Sequence, residues 1–356
     1  MFKKTYNVIG VMSGTSLDGI DLAHIHFTII DGKWKFEILE SETVSYDNNW
    51  LNKLKTAVDF SEAELKKLNV DYTVLLANVI KTFIEKHNLQ NLDAVCSHGH
   101  TILHQPQNGF TLQIGNLPDI SKLLNQTVVC DFRVQDVQLG GQGAPLVPIG
   151  DRILFSDYDY CLNLGGFSNV SFDQNGNRIA FDISAVNTVF NFYANKLGFD
   201  YDDRGSISKS GKLNTDLLDE LNALDYYKKP FPKSLGFEFV KEIVFPLIEL
   251  YDIPIEDKMY TFTEHIAIQT ATALPKKYGK LLATGGGTYN DFLMERMQFW
   301  LPELEIIIPD KKTIEFKEAL IFGLLGVLRL RNEVNVLSSV TGSKHDHSSG
   351  IIYTEN

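Results

Sequence analysis

The chain has 356 residues, of which 44% are hydrophobic and 22% are charged, and its formal net charge is −12 at pH 7. This length predicts about two domains, each large enough to bury a core, and the composition is typical of a soluble globular protein. The acidic balance argues against nucleic acid as a partner. The longest apolar run, ALIFGLLGVL, is too short to span a bilayer, so no membrane partner is expected.

The cysteines and the N-terminus bear on the compartment. Cys96, Cys130 and Cys161 each lie in an apolar, strand-like run, and an odd number of cysteines at such positions indicates reduced core thiols. The N-terminal sequence MFKKTYNVIGVMSG has too short an apolar run, and no small-residue cleavage site, for a signal peptide. We therefore predict a cytoplasmic protein.

The elements predicted for the first half begin with a β-meander. The stretches YNVIGVM, DLAHIHFTII and WKFEILESETV are typical of strands, with a small-residue turn after the first and the turn DGK after the second. A helix is predicted over 61–88 with Ser61 as its N-cap, followed by the strands LDAVCSHG and TVVCDFR. The Gly-, Gln- and Pro-containing segment VQDVQLGGQGAPLVPIGD is expected to be an irregular crossover between domains.

The second half opens on a similar meander, since YDYCLNL, VSF and RIAFD are separated by GGFSN and by the hairpin signal DQNGN. Two such meanders suggest two related domains. The later strands are KLLATG and LEIII, and the tail TGSKHDHSSGIIYTEN is expected to be a loop or fraying end. Alternating strands and helices place the chain in the α/β class. Helices are predicted over 184–197, 236–251, 257–275, 290–300 and 313–331.

The turn in GVMSGTSLDGID combines glycine, hydroxyl side chains and carboxylates between two strands. Such a turn suits a phosphate and its magnesium ion, because N–H and O–H groups face the oxygens while carboxylates hold the metal or its waters. The same residues are common in simple hairpin turns, so this stretch alone leaves both interpretations open. The residues of these types in the turn are Ser13, Gly14, Thr15, Ser16, Asp18, Gly19 and Asp21.

A second glycine-rich turn follows the strand KLLAT, where Gly285, Gly286 and Gly287 precede a helix capped around Asn290 or Asp291. A strand, a glycine-rich loop and a helix N-terminus allow the backbone to approach a nucleotide closely. The spacing is neither that of a dinucleotide-binding fingerprint nor that of a Walker loop. A plain structural turn is the alternative.

Three histidines, His98, His100 and His104, lie within SHGHTILHQP. On a strand, His98 and His100 would share a face, as zinc ligands do. No cysteine or carboxylate follows at ligand spacing and Pro106 ends the run, so polar residues lining a cleft are the favoured interpretation.

Three carboxylates and one arginine are candidates for chemistry. Asp182 falls at the predicted join of a strand and a helix, where it serves either as an ionised base or as an N-cap. Asp131 and Arg133 are two residues apart, hence on one strand face, where Arg133 pairs with that carboxylate or holds a substrate anion. Glu318 lies in an otherwise apolar helix, either near its cap or in a cleft.

Taken together, these motifs resemble one family. The stretches GVMSGTSLDGID, SHGHTILHQP, TLQIGN, DFRVQDVQLGGQGAPLVP, LNLGGFSN, FD followed by Asn187, SGK, ATGGGTYN and KEALIFG occur in order over nearly the whole chain. This set resembles the anhydro-N-acetylmuramic acid kinases of the sugar kinase and actin superfamily. The resemblance implies two ribonuclease-H-like (actin-like ATPase) domains flanking an ATP cleft, over 1–140 and 141–356.

The resemblance also implies roles for individual residues. Asp182 would be the catalytic base, and the sugar would contact His98, Arg133 and Glu318. ATP and Mg²⁺ are the implied cofactors, with Asp18 holding the metal through water. The ATP-binding residues would be the turn Gly14 to Asp21 together with Gly285, Gly286 and Gly287.

The implied activity is an ATP-dependent kinase that hydrolytically opens 1,6-anhydro-N-acetylmuramic acid and phosphorylates O6, in cell-wall murein recycling. A cytoplasmic homodimer is the implied form. The alternatives are a related sugar kinase with a different substrate and a non-catalytic, nucleotide-regulated binding protein with an actin-like fold. Two places depart from the family pattern: Ile183, Ser184, Ala185 and Val186 stand where Thr-Gly-Pro-Gly is usual, and His100 replaces a common Gln.

Overall fold

The computed structural model describes residues 2–14 and 17–354. The chain forms two compact units, each with its own mixed sheet. Unit 1 comprises the described residues up to Leu154 and from Phe316 onward, and unit 2 runs from Phe155 to Glu315. Within the described ranges, no helix is both long enough and apolar enough to cross a membrane.

Strands and helices alternate along the chain, as the α/β class requires. The strands are β1 (Thr5–Ser13), β2 (Ile20–Ile30), β3 (Lys33–Val44), β4 (Ala94–Gln105), β5 (Phe110–Ile114), β6 (Val128–Cys130), β7 (Tyr160–Leu164), β8 (Phe167–Gln174), β9 (Asn177–Ala185), β10 (Gly279–Thr284), β11 (Leu304–Ile307) and β12 (Ile351–Tyr353). The helices are α1 (Asn48–Thr56), α2 (Glu62–Lys86), α3 (Asp119–Leu124), α4 (Val134–Gln138), α5 (Val147–Leu154), α6 (Asn187–Lys196), α7 (Ser206–Ser210), α8 (Thr215–Ala223), α9 (Asp225–Lys228), α10 (Phe237–Phe239), α11 (Phe245–Glu249), α12 (Ile255–Ala273), α13 (Asp291–Trp300), α14 (Lys311–Leu330) and α15 (Ser338–Thr341).

The two sheets share one topology. In unit 1 the strand order is β12-β6-β4-β1-β2-β3, with β5 added beside β4, and in unit 2 it is β11-β10-β7-β8-β9. In each sheet the first strand is central, an antiparallel meander lies on one side of it, and two parallel strands lie on the other. This order, 3-2-1-4-5, is that of a ribonuclease-H-like fold. The predicted fold class is therefore confirmed, and the two predicted meanders occupy equivalent positions in the two sheets.

Helix α2 shows how local sequence sets an element. Ser61 is its N-cap, because the Ser61 hydroxyl accepts the Glu64 N–H at 3.4 Å and the Glu64 carboxylate accepts the Ser61 N–H at 2.8 Å. This capping box satisfies two backbone donors at the helix start. The buried Tyr72 and Leu76 of α2 belong to the apolar cluster that covers one face of the unit 1 sheet.

Helix α14 returns the chain to unit 1 and packs closely on its sheet. A Cβ at Gly10 on β1 would lie 1.9 Å from the Ala319 carbonyl oxygen, so only glycine permits this approach. The division of the chain therefore differs from the predicted boundary between 140 and 141. Residues 141–154 and those from Phe316 onward belong to unit 1 because α14 and β12 complete the first sheet rather than the second.

The C-terminal tail, expected to be a loop or fraying end, is built into unit 1. β12 pairs with β6, and the buried Asn335 side chain donates to the Ser349 carbonyl oxygen at 2.9 Å while accepting the Ser349 N–H at 2.7 Å. The Ser349 hydroxyl donates to the Phe132 carbonyl oxygen at 2.7 Å. The expectation was wrong because the polar side chains of this segment serve as buried hydrogen-bond partners.

The structure also bears on three smaller predictions, which concern the crossover segment, the start of one helix and the cysteines. The expected irregular crossover contains the helices α4 and α5, and the helix predicted from 184 begins at Asn187 because β9 continues to Ala185. The three cysteines are buried, as predicted for core thiols.

Candidate functional site

The turn between β1 and β2 closes an antiparallel hairpin, with Ser13 opposite Ile20. Thr15 and Ser16 lie outside the described residues. Leu17 has a left-handed backbone with φ of 64°, and its N–H donates to the Gly14 carbonyl oxygen at 3.2 Å. Gly19 is buried, and a Cβ there would lie 2.7 Å from the Val44 carbonyl oxygen, so β3 constrains this end of the turn.

The two carboxylates of the turn have different surroundings. Asp18 is exposed, and its carboxylate makes no hydrogen bond or ion pair with any residue that the structure describes. Asp21 is half-buried and accepts the Thr43 hydroxyl at 2.6 Å. An uncommitted carboxylate such as that of Asp18 fits the water-mediated contact to Mg²⁺ that the sequence predicts. Across residues 2–14 and 17–354, no group of three or more His, Cys, Asp or Glu side chains is arranged to hold a metal by itself.

The three consecutive glycines after β10 differ in what surrounds them. A Cβ at Gly285 would lie 2.6 Å from the Asn163 Oδ1, and one at Gly287 would lie 2.7 Å from the Leu164 Cβ. A Cβ at Gly286 would meet nothing closer than the Asn187 Nδ2, at 3.7 Å. The outer two glycines are therefore required by packing against β7, while Gly286 borders open space.

Gly286 opens onto a cavity of about 600 Å³ within unit 2. Its volume is that of a small-molecule site, and its wall combines aromatic rings with amide and carboxylate side chains. The N-terminus of α13 lies beside it, capped by the Asn290 side chain, which accepts the Leu293 N–H at 2.8 Å. These features fit a nucleotide. The lining residues are Asn187, Phe190, Asn191, Tyr201, Asp202, Asp203, Arg204, Gly286, Thr288, Tyr289, Asn290 and Asp291.

This difference between neighbouring glycines allows a direct test. We expect Gly286→Val to weaken ATP binding about tenfold or more, because the new side chain occupies cavity space while the fold stays intact. Gly287→Val is the matched control: its Cβ overlaps Leu164, so it should lower the thermal midpoint of unfolding instead. Calorimetric titration with ATP and a thermal melt measure the two effects. Unchanged ATP affinity in Gly286→Val would return this turn to a purely structural role.

In unit 1, His98 holds the side chain of Arg133. The Arg133 Nε donates to His98 Nε2 at 2.8 Å, so Nε2 carries the lone pair, and His98 Nδ1 donates to the Gly99 carbonyl oxygen at 2.8 Å. Burial and the adjacent guanidinium hold the pKa of His98 well below its usual range, consistent with this neutral tautomer. His98 therefore fixes the orientation of the Arg133 guanidinium through its Nε.

The Arg133 guanidinium keeps part of its donor capacity. Its Nη1 donates to the Gly143 carbonyl oxygen at 2.8 Å, while Nη2 has no hydrogen-bond partner among the described residues. Burial lowers the pKa of Arg133 to about 10, and the negative charges of Glu318 and Asp136 partly offset this effect. Glu318 is exposed and follows Phe316, the non-helical residue inside α14, by two positions, so it is not at the helix cap.

Two strand-based predictions for these residues were wrong. β6 ends at Cys130, so Asp131, with φ of 59°, and Arg133 do not share a strand face, and they form no ion pair. His98 and His100 face opposite sides of β4, because Gly99 has φ of 73° and breaks the alternation of side chains. The His98 ring contacts Phe322 on α14, whereas the His100 ring contacts Tyr72 on α2.

His104, the third histidine of this segment, lies near the exposed end of β4. Its Nδ1 is 3.0 Å from the Thr111 hydroxyl on β5. The structure therefore gives the three histidines separate surroundings, and it does not bring them together.

Asp182 lies inside β9, opposite Asn169, and not at a helix start. Helix α6 begins at Asn187 without a side-chain cap, so the N-cap alternative for Asp182 was wrong. The Asp182 Oδ2 accepts the Leu235 N–H at 2.8 Å, and Oδ1 has no partner among the described residues. Burial raises the pKa of Asp182, and the Leu235 N–H opposes that rise because it stabilises the ionised form.

The segment that holds Asp182 was missed by the sequence analysis. The Tyr226 hydroxyl donates to the Asp182 carbonyl oxygen at 2.6 Å, and the Asp182 N–H donates to the Lys233 carbonyl oxygen at 3.1 Å. Residues 226–235 thus cover the outer edge of β9 and fix both the backbone and the carboxylate of Asp182. No sequence motif marks these residues, since the contacts join positions far apart in the chain.

The chain has two ribonuclease-H-like units. One has a small-residue turn between β1 and β2, and the other has a glycine-bordered cavity beside a helix N-terminus. These features define a protein of the sugar kinase and actin-like ATPase class. The family model for anhydro-N-acetylmuramic acid kinase matches residues 6–355. The chain therefore belongs to the anhydro-N-acetylmuramic acid kinase family, and the predicted family is confirmed.

Two individual relatives agree with this assignment. An anhydro-N-acetylmuramic acid kinase of Mannheimia succiniciproducens is 33% identical over 380 residues, covering 99% of this chain and all of that protein. One from Bacillus thuringiensis subsp. konkukian is 32% identical over 368 residues, covering 95% of this chain and 96% of the relative. Among solved structures, a ROK family glucokinase from Streptomyces griseus, in complex with glucose and AMPPNP, is 11% identical with a TM-score of 0.42, covering 90% of this chain and 99% of that chain.

Proposed function

We propose that this chain opens 1,6-anhydro-N-acetylmuramic acid with water and transfers the γ-phosphoryl group of ATP to O6. The products are N-acetylmuramic acid 6-phosphate and ADP, which places the reaction in murein recycling. Membership in the family, over residues 6–355, supports the activity. The setting of Asp182 is the observation that carries the mechanism, since a protein that merely switches with a nucleotide needs no base.

Asp182 is proposed as the general base. Its Oδ2 is held by the Leu235 N–H, and its Oδ1 is the oxygen available to take a proton from the water that attacks C1. As the C1–O bridge breaks, its electron pair stays on the sugar oxygen, so O6 emerges as the nucleophile for the γ-phosphorus. Burial raises the pKa of Asp182, which strengthens its carboxylate as a proton acceptor.

The remaining residues are assigned to binding. Arg133 is proposed to bind the lactyl carboxylate of the sugar, because its charged guanidinium has an Nη2 that donates to no described residue and can donate to a carboxylate. His98 orients the Arg133 guanidinium. Glu318 is proposed to contact the sugar. The turn from Gly14 to Asp21 and Gly286 are proposed to bind ATP, with Gly285 and Gly287 holding the second turn against β7.

The proposal also covers the metal, the compartment and the assembly. Bound with ATP, Mg²⁺ would neutralise charge on the transferred phosphoryl group, and the exposed Asp18 is the residue proposed to hold its waters. An odd number of cysteines, all of them buried, supports a reducing, cytoplasmic compartment. A homodimer is proposed from the family resemblance alone.

A substrate comparison tests the function. We expect ADP release from the pure protein with ATP and Mg²⁺ to require 1,6-anhydro-N-acetylmuramic acid, and to be at least about a hundredfold slower with N-acetylmuramic acid or N-acetylglucosamine. Only the bridged sugar has a C1–O6 bond, and in the proposed reaction the opening of that bond by water generates the O6 nucleophile. Faster turnover of an open sugar would assign a different kinase substrate. ATP binding without sugar-dependent ADP release would favour the nucleotide-regulated binding protein.

A further inference from the structure

A buried cluster of three hydroxyls and one imidazole lies at the end of β1. The Ser13 Oγ is 2.5 Å from the Tyr46 hydroxyl, 2.8 Å from the Tyr72 hydroxyl and 2.9 Å from His100 Nδ1. The Tyr46 and Tyr72 hydroxyls are 2.6 Å apart. All four side chains are at most 9% exposed. None of them has a part in the proposed chemistry.

Counting protons fixes the tautomer of His100. The four short contacts each need one proton, and the three hydroxyls supply only three. Tyr72 donates to Ser13, so a closed ring requires Tyr46 to donate to Tyr72 and Ser13 to donate to Tyr46. The fourth proton must then come from His100, as an Nδ1–H that donates to Ser13 Oγ. If Nδ1 were an acceptor, one of the four buried contacts would have no proton.

The charge state agrees with this count. Burial lowers the pKa of His100 to about 4, so the ring is neutral near pH 7. Burial also raises the pKa of Tyr46, with a smaller contribution from the nearby Asp21 carboxylate, and it raises the pKa of Tyr72. The cluster is therefore uncharged, and its three hydroxyls and His100 Nδ1 are all hydrogen-bonded. A buried polar network satisfied in this way makes a local structure rigid.

The position of the cluster determines what it holds in place. Ser13 is the last residue of β1, and Gly14 begins the turn proposed to receive the ATP phosphates. His100 faces Ser13 from β4, Tyr72 comes from α2, and Tyr46 follows β3. Leu17, farther along the turn, packs against the apolar cluster that includes both tyrosines. Three neighbouring elements thus converge on the residue from which the turn departs.

We propose that His100 is a positioning residue for nucleotide binding: its Nδ1–H fixes the Ser13 hydroxyl and, through Ser13, the path of the backbone into the turn. This inference rests on the proposed function, because it assumes that the turn binds phosphate. Asparagine is the appropriate mimic, since its amide nitrogen stands at the same distance from Cβ as the imidazole Nδ1 and also donates a proton.

Titration with ATP in the absence of sugar tests the inference. We expect His100→Leu to weaken ATP binding about tenfold, because Ser13 loses a donor, and His100→Asn to stay within about threefold of the unchanged protein. Ser13→Ala should weaken binding at least as much as His100→Leu. The double variant should be no weaker than Ser13→Ala, since both changes remove the same interaction.

Equal ATP affinity in all variants, or the same loss of affinity in His100→Asn as in His100→Leu, would overturn the inference and leave His100 as a core residue that affects only the thermal midpoint of unfolding.

If His100→Leu does not fold, Tyr46→Phe takes its place. This variant removes the acceptor of the Ser13 proton, and it should also weaken ATP binding. Absence of ATP binding by the unchanged protein would also overturn the inference. Failure of the proposed function is distinguishable, since it shows as absent sugar phosphorylation by the unchanged protein.

Discussion

Asp182→Asn should lower turnover by at least about a hundredfold while fold and ATP affinity are retained, because the amide keeps the size of the carboxylate but cannot accept the proton from water. Ring opening and phosphorylation should be lost together, since O6 is released only when the bridge opens. Steady-state kinetics, a thermal melt and an ATP titration on the same preparation measure the three quantities. Turnover near that of the unchanged protein would place the base elsewhere.

Oxygen-18 water separates this chemistry from that of an ordinary sugar kinase. A brief reaction of the unchanged protein in labelled water should label the anomeric oxygen of the product and leave the phosphate unlabelled, because water adds to C1 and not to phosphorus. Early quenching is needed, since the open sugar slowly exchanges that oxygen. An unlabelled anomeric position would show that the bridge is not opened by water.

The environment of Asp182 also fixes the direction of its pH dependence. The base must be ionised, so kcat/KM should fall as the pH drops through the pKa of Asp182. Because burial raises this pKa, the acid limb should lie at higher pH than for an ordinary aspartate. The pH profile of kcat/KM measures this fall. If kcat/KM falls only at the pH where an ordinary aspartate titrates, the assignment of Asp182 as the base is contradicted.

Arg133→Ala should raise the KM for the anhydro sugar about thirtyfold or more, because a charged hydrogen-bonding partner for the lactyl carboxylate is removed. ATP affinity should change little. Arg133→Lys should also raise the KM, since a point charge cannot bond His98, Gly143 and a carboxylate in one plane. Initial rates at varied sugar concentration measure the effect.

The matched control is Asp131→Asn. Asn tolerates the left-handed backbone found at this position, and Asp131 forms no ion pair with Arg133, so the sugar KM should stay near its original value. A substrate control sharpens the test: 1,6-anhydro-N-acetylglucosamine lacks the lactyl carboxylate, so Arg133→Ala should affect it much less. If Arg133→Ala raises the KM equally for both sugars, Arg133 supports the local structure and does not bind the carboxylate.

The elements that sequence predicted well are those specified by neighbouring residues. The turns DGK and DQNGN sit between strands that do pair, and Ser61 with Glu64 caps α2 as a Ser-x-x-Glu pattern predicts. Both signals depend on contacts within a few residues. The same holds for the glycines after β10, although the sequence alone could not separate Gly286, which borders a cavity, from two neighbours that pack against β7.

The parts of the candidate site that were missed depend on distant contacts or on single backbone angles. Leu235 is 53 residues from the Asp182 carboxylate that it holds, and no pattern joins the two. A positive φ at Gly99 reverses the facing of His100, whereas a strand pattern assumes regular alternation. Asn335 and Ser349 have the composition of a loop but lie buried and satisfied. In each case tertiary structure overrides the local signal.

The split of unit 1 into two chain segments affects how the protein is made on the ribosome. Strands β1 to β6 are synthesised before unit 2, whereas the part of α14 that belongs to unit 1, whose Ala319 lies against Gly10 and whose Gly326 lies against Cys96, is synthesised after it. Unit 2 is continuous and has all its strands as soon as Glu315 has emerged. The unit that carries His98 and Arg133 therefore begins first and finishes last, with one sheet face uncovered throughout elongation, a state that chaperones protect in nascent chains.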